Sequence, residues 1–313
     1  MKKTITYIFP VYNEEGNIRL LYETLCSSVE KIRNKYDLEF IFINDGSTDR
    51  SLSILRELSN KDKRVKVINF ARNFGHQVAV TAGMDYSKGN AVIVMDSDLQ
   101  DPPSVSLELI SMWEKGYDIV YAQRRTRQDT VFKKFTANIY YRILSKLSDI
   151  DIPRNIGDFR LMDRRVVDAL NQFREHDRYL RGLVSYVGFS NTSVLFDRDS
   201  RHSGRSNYPL KKMFKLASDG IVGFSNAPLR LILRVGYFIS LLSLVGIIYA
   251  LVEKIFFPKH VVSGWTFTVI AVLLIGGIQL VLLGVIGNYI GRIYAESQNR
   301  PLYIIESITN SDS

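Results

Sequence analysis

A single cysteine, Cys26, stands in the 313 residues. An internal disulfide is therefore excluded, and with it the small folds that depend on such staples. Cys26 falls on the apolar face of a helical pattern, where a free thiol packs as a small hydrophobe. The four histidines, His76, His176, His202 and His260, are scattered and form no metal-ligand spacing. No G-x-G-x-x-G follows the first strand-like run and no G-x-x-x-x-G-K occurs, which argues against dinucleotide oxidoreductases and P-loop hydrolases. Zinc-finger spacing, helix-turn-helix patterns and RNP-like strands are missing as well, so nucleic acid is not an expected partner. Met1-Lys2-Lys3 leads directly into a strand-like run with no small-residue cleavage site. No signal peptide is expected, and the N-terminal domain should stay in the cytoplasm.

Charge is the next thing that runs out. From Val235 to Val252, and again from Trp265 to Ile290, there is no Lys, Arg, Asp or Glu. At ~1.5 Å per helical residue, each stretch reaches about far enough to cross a ~30 Å hydrocarbon core. A two-helix transmembrane hairpin over residues 234–291 is expected, with a cytoplasmic tail at 292–313. Arg230 and Arg234 precede the first span, and Arg292 and Arg300 follow the second. By the positive-inside rule both ends lie in the cytoplasm and the short connector outside. Gly277, Gly284 and Gly291 recur on the second span, with Gly287 beside them, which predicts tight helix packing or self-association as a homo-oligomer.

The net charge is +9, and much of the basic excess lies just before the hairpin, which favours lipid phosphates as partners. Within residues 206–233, Leu210, Met213, Phe214, Ala217 and Ile221 share one helical face, with Lys211, Lys212 and Lys215 beside it. Such a segment suits the membrane interface; an ordinary surface helix packed on the domain is the alternative.

The first half has a soluble composition. Strand candidates are Ile5–Phe9, Phe40–Ile43, Val65–Phe70, Ala91–Met95 and Ile119–Ala122, separated by helical patterns such as Ile18, Leu21, Leu25, Val29 and Ile32. Repeated strand–helix–strand units predict an α/β, Rossmann-like domain with a mainly parallel sheet. In such sheets ligands bind beyond the carboxyl ends of the strands. Three of those ends carry polar clusters: Pro10–Glu15, Asn44–Asp49 and Asp96–Pro103. One aspartate after a strand is usually a helix cap; three clusters at successive ends are harder to dismiss. Asp96-Ser97-Asp98 is the sharpest of them. A turn there would let two carboxylates converge on a hard cation, Mg²⁺ or Mn²⁺, that balances charge on a diphosphate leaving group.

These stretches together resemble glycosyltransferase family 2, whose fold is GT-A. Phe9–Glu15 looks like its opening motif, Asn44–Asp49 like its second nucleotide-binding turn, and Asp96-Ser97-Asp98 like its D-x-D. Ala71–Gln77, Asp98–Pro103, Gly157–Met162, Arg178–Gly182 and the two spans narrow the resemblance to the polyprenyl-phosphate glycosyltransferases. The resemblance implies a GT-A domain over residues 1–205. It implies that Pro10, Tyr12, Glu14 and Asp45 hold the nucleotide, that Asp96 holds the donor, and that Asp98 takes the metal. Gln100 and Asp101 would lie beside the donor sugar. Arg124, Arg125, Arg127, Arg201 and Arg205 would face the acceptor phosphate. Asp158 is the usual catalytic candidate, as a base or as an orienting group for an arginine such as Arg160, with a plain structural role the remaining alternative. The implied partners are a nucleotide sugar, polyprenyl phosphate and the bilayer, with glucose from UDP-glucose the first guess. This chain departs from the family at Ser206-Asn207-Tyr208, where a lysine is common. A processive polysaccharide synthase would carry Q-x-x-R-W and more spans, and neither is present. A non-catalytic nucleotide-sugar-binding subunit fits poorly with an intact Asp96 and Asp98.

Overall fold

The computed structural model describes residues 2–125, 156–176, 178–197, 234–239, 241, 245 and 265–310. In chain order the elements are β1 (Lys3–Val11), α1 (Ile18–Val29), β2 (Tyr36–Asn44), α2 (Ser51–Lys61), β3 (Val65–Phe70), α3 (His76–Tyr86), β4 (Ala91–Val94), α4 (Val105–Glu114) and β5 (Ile119–Arg124). They continue with β6 (Ile156–Asp163), α5 (Arg164–Leu170), α6 (Leu180–Tyr186), β7 (Asn191–Phe196), α7 (Trp265–Ser297) and β8 (Ile305–Thr309).

One sheet holds all eight strands in the order β7-β5-β6-β4-β1-β2-β3-β8. β6 runs antiparallel to β4 and β5, and β8 antiparallel to β3; the other pairings are parallel. The alternation of side chains across the pleat splits the core in two. Tyr7, Phe9, Phe40, Phe42 and Ile93 face α1, α2 and α4. Ile8, Ile41, Ile43, Val92 and Val94 face α3, α5 and α6. Helix α1 buries Ile18, Leu21, Leu25 and Val29 at the expected i, i+3, i+4 spacing. Each such leucine contributes roughly 1.5–3 kcal/mol by leaving water. Cys26 packs against the same layer and is partly buried.

The mainly parallel α/β sheet is as the sequence predicts; three of its strands are additions. β6 matters most. Because it runs against its neighbours, its first residues lie at the carboxyl ends of β4 and β5, with Arg160 opposite both Val94 and Tyr121. The segment expected as a tail also differs. Residues 305–309 return to the sheet as its edge strand, so the sheet is not confined to residues 1–205.

Helix α7 spans 33 residues, and its stretch Leu274–Ser297 has a mean hydropathy of 1.7. Among the described residues it is the one helix long and apolar enough to cross a membrane. Leu280, Val281 and Leu283 on it are more than 60% exposed. The interfacial segment 206–233 falls outside the described residues, and of the first expected span residues 235–239, 241 and 245 are described, all of them helical.

Candidate active site

The loops expected to form the donor side fasten one another. Asp45 follows β2 and is buried. Its carboxylate accepts from the backbone amides of Phe74 at 2.7 Å and Gly75 at 3.0 Å. Burial pushes the Asp45 carboxyl above the ordinary value, and those two amides oppose the rise only in part. Gly46 lets the two loops meet: its φ is +67°, and a Cβ there would lie 2.5 Å from the Arg72 and Asn73 backbone. Glu14 accepts from Asn17 at 2.5 Å, and its own amide donates to Ser51 Oγ. Pro10 O accepts from Ser97 Oγ, tying the end of β1 to the D-x-D turn. Tyr12 stands 49% exposed at this edge.

The D-x-D turn itself is bent. Leu99 sits at φ +60°, in the left-handed region, which costs a non-glycine residue roughly 1–3 kcal/mol. The bend brings the Gln100 amide to Asp98 Oδ1 at 3.2 Å. Asp98 and Asp101 are buried; Asp96 is partly exposed.

Asp158, on β6, organises the other side. Its Oδ1 accepts from Arg160 at 2.8 Å and from Arg181 Nε at 3.0 Å. Its Oδ2 accepts from Arg181 at 3.1 Å and lies 3.2 Å from His76 Nε2. Asp158 and Arg160 share one face of the strand because they are two residues apart, and both are buried. Burial alone would raise the Asp158 carboxyl, but Arg181, His76 and Arg160 overcome it and hold the group well below the usual range. His76 opens α3, and its Nε2 also lies 3.8 Å from Asp96 Oδ1. Burial disfavours its charge, yet Asp158 and Asp96 together push the imidazole up to about 9. A cation at a helix N-terminus is ordinarily unfavourable by ~0.3–1 kcal/mol; here the two carboxylates win. Asp96 is raised by burial and further by Asp158 and Asp98, with His76 opposing.

Asp98 and Asp158 both stand close enough to act on the Asp96 carboxyl, and this is the observation against which a metal can be tested. His76, Asp96 and Asp158 offer ligand atoms within 4.8 Å of one another, but the Asp158 oxygens are engaged by guanidinium groups. That trio contains Asp96 but not Asp98, the two carboxylates that the sequence leads one to expect around a hard cation.

Of the arginines, Arg124 packs toward β6, where a Cβ on Gly157 would lie 3.0 Å from its guanidinium. Arg125 points outward, 3.5 Å from exposed Asp197. Arg127, Arg201 and Arg205 lie outside the described residues. Sequence reasoning assigned no role to His76 or Arg181. Their signal was positional: His76 follows a glycine at a fourth strand end, that of β3. A cleft of about 910 Å³ lined by Lys3, Tyr36, Trp113 and Asp163 opens at the opposite, amino ends of β1 and β2. Its charges are spent on one another, as in Lys35–Glu114 and Arg165–Asp118.

The sequence signature named Glycosyl transferase family 2 matches residues 6–170. The chain belongs to that family and is a glycosyltransferase. A second signature, the GtrB C-terminal hairpin, matches residues 227–293 and takes in both charge-free stretches. An uncharacterized glycosyltransferase of Bacillus subtilis, YkcC, is 50% identical over 309 residues, covering 98% of this chain and 95% of the relative. The bactoprenol glucosyl transferase of Shigella phage SfX is 39% identical over 304 residues, covering 97% and 99%. Among solved structures, the mannosyltransferase PcManGT of Pyrobaculum calidifontis has a TM-score of 0.47 at 16% identity, covering 66% of this chain and 59% of that one.

Proposed function

We propose that this enzyme transfers a hexose, glucose from UDP-glucose in the first instance, onto undecaprenyl or another polyprenyl phosphate. The relatives named bactoprenol glucosyl transferase, matched over nearly the whole chain, support the acceptor. The exposed apolar face of α7 and the hairpin signature support a seat in the plasma membrane. The arginine flanks of the hairpin favour a cytoplasmic catalytic domain.

The carrying observation is the state of Asp158. A carboxylate has about four lone-pair sites, and here Arg160, Arg181 (twice) and His76 take up four contacts. A carboxylate so occupied, and held far below its ordinary value, is a poor base. The acceptor does not need one. A phosphate monoester has its second pKa near ~6, so at neutral pH its oxygen is already a nucleophile. Asp158 is therefore the group that orients Arg181 and His76, and these with Arg124 face the incoming phosphate. The lipid oxygen displaces the nucleoside diphosphate in line, with inversion at the anomeric carbon. Asp96 and Asp98 hold the divalent cation, which when bound offsets charge on the leaving diphosphate.

The test is the purified chain in detergent with undecaprenyl phosphate, Mg²⁺ or Mn²⁺, and UDP-glucose, UDP-galactose, UDP-N-acetylglucosamine or GDP-mannose. Lipid-linked glucose of inverted configuration is expected, and both Asp98→Asn and EDTA should abolish most of it. Absence of transfer from every donor would sink the reading. Full turnover in EDTA would remove the metal from it.

A further inference from the structure

The chain that leaves helix α7 folds back onto the catalytic sheet, and one of its side chains reaches toward the donor loops. Strand β8 pairs with β3, setting Ser307 opposite Asn69 and Ile305 opposite Phe70. Between those two pairs stands Glu306. Its Oε2 accepts from Asn69 Nδ2 at 2.6 Å. Asn69 Oδ1 in turn accepts from Asn44 Nδ2 at 2.7 Å. Asn69 and Asn44 are paired across β3 and β2, and only 3% and 1% of their surfaces are exposed. Asn44 is the last residue of β2, and the next residue is Asp45, whose carboxylate fastens the loop at Phe74 and Gly75.

The order of donors in this relay is dictated from its outer end. A side-chain amide can face either way round, with its NH₂ or its carbonyl outward. An ionised carboxylate only accepts, so Glu306 makes Asn69 present its NH₂ outward and its carbonyl inward. That carbonyl is what Asn44 needs, because the Asn44 NH₂ points at it. With Asn69 turned the other way, two NH₂ groups would face each other in a buried space unless Asn44 turned as well, so the outer end of the relay sets the orientation of both amides. Asn44 Oδ1 has no hydrogen-bond partner among the described residues, so the bond to Asn69 is the one that fixes this side chain.

We propose that Glu306 is a positioning residue for the nucleotide-sugar site: it sets the polarity of the Glu306–Asn69–Asn44 relay and so the resting place of the Asn44–Asp49 turn. This rests on the reading of that turn as part of the donor site. Glu306 itself touches neither donor nor acceptor. The rest of the tail is held independently of it. Tyr303 donates to Asp85 and stacks on Phe70, Ala71 donates to Ile304 O, and Asn310 donates to Ser59 O and Val65 O. Loss of the Glu306 carboxylate therefore leaves the strand docked and changes the relay alone. Through this relay the segment that ends the membrane anchor takes part in binding the sugar donor.

The experiment uses the full chain in detergent and measures UDP-glucose and GDP-mannose binding by calorimetry, together with KM for donor and for undecaprenyl phosphate. Glu306→Ala is expected to weaken binding of the preferred donor about 3- to 10-fold, the size of one ordinary hydrogen bond, with acceptor KM unchanged. Glu306→Gln keeps an oxygen for Asn69 and should restore affinity to within about 2-fold. Glu306→Lys can only donate, so it should be worse than Ala. Amide exchange at residues 44–49 should quicken in the Ala and Lys variants and not in Gln. Should Glu306→Ala fail to fold, the Gln and Lys pair still decides, because equal donor affinity in those two overturns the proposal. Wild-type binding with an unchanged Ala variant overturns this inference and leaves the donor reading standing. Wild-type protein that binds none of UDP-glucose, GDP-mannose, UDP-galactose and UDP-N-acetylglucosamine overturns both.

Discussion

Asp45 and Asp158 are buried carboxylates at the same edge of one sheet, and their surroundings treat them in opposite ways. Asp45 is met by two backbone amides and is pushed up by burial. Asp158 is met by Arg160, Arg181 and His76 and, against its burial, is held down. The amides that meet Asp45 are neutral, fixed by the chain, and fully used in fastening a loop. The partners of Asp158 are cations on three different elements: Arg160 on β6, Arg181 on α6 and His76 on α3. On the proposed reading, Asp45 makes a wall for the nucleotide, and Asp158 gathers positive charge where the acceptor phosphate would approach. Residue type alone does not tell the two apart; the charge of the partner does.

The largest effect should come from removing the centre of the charged cluster. Arg160 is 2% exposed, so Asp158→Ala strands a guanidinium away from water. Breaking a buried pair by deleting one partner costs about 3–5 kcal/mol. Removing Asp45 leaves two amides without their acceptor, at about 1–3 kcal/mol. Denaturant unfolding of Asp158→Ala and Asp45→Ala should therefore rank them in that order, and equal costs would erase the contrast. The transfer rate sharpens it further. Asp158→Asn should lose transfer with donor affinity nearly intact, whereas Asp45→Asn should weaken donor affinity first.

Acidity separates the two with opposite sign, and the effect is smaller. Asp158 has a folded value below the ordinary ~3.9, so the folded state binds fewer protons there than the unfolded chain. Its stabilisation is complete above ~3.9 and is lost as pH falls through the depressed value. Asp45 has a raised folded value, so its share is complete below ~3.9 and is lost as pH rises through that raised value. Asp158→Asn should flatten the acid limb of a stability–pH curve. Asp45→Asn should remove a decline that begins just above ~3.9. Curves of the two variants that run parallel to wild type at both ends would contradict the assignment.

How much of this could be read from the chain depended on what each strand has to bury. β1 to β5 carry β-branched and aromatic runs, because both faces of a covered parallel strand are apolar, and the polar clusters after three of them stand out at once. β6 buries Asp158 and Arg160 as a mutual pair, so its pattern reads as polar and hides a central strand. β7 is largely exposed, and Asn191-Thr192-Ser193 gives little apolar signal. β8 pairs with a strand more than 200 residues earlier, and no local pattern reports such a partner. Asp96, Asp98 and Asp158 were legible as aspartates at strand ends or in a family motif. His76 and Arg181 were not, because their role arises where α3, α6 and β6 meet.

The smallest expected effect concerns two neighbouring arginines that the sequence treats alike. Arg124 and Arg125 are consecutive, so an extended chain sends them to opposite faces. Arg124 is turned toward β6, where the bare Cα of Gly157, one residue before Asp158, lets it approach. Arg125 is 60% exposed at its side chain and meets Asp197, 69% exposed, at 3.5 Å. An ion pair in that setting is screened by water and contributes about 0–1 kcal/mol. If phosphate is drawn in by the charge gathered around Asp158, Arg125 stands on the wrong side of the strand to touch it. Arg125→Ala should change melting temperature by no more than a degree or two and transfer by less than about 2-fold. Arg124→Ala should lower transfer by about 10- to 100-fold, the size of one charge-assisted contact to phosphate, at unchanged donor affinity. The comparison is made on initial rates with undecaprenyl phosphate at low ionic strength, where a surface charge has its best chance to matter. A loss at Arg125 as large as that at Arg124 would move the acceptor phosphate away from Asp158 and out toward Asp197. The orienting role assigned to Asp158 would fall with it.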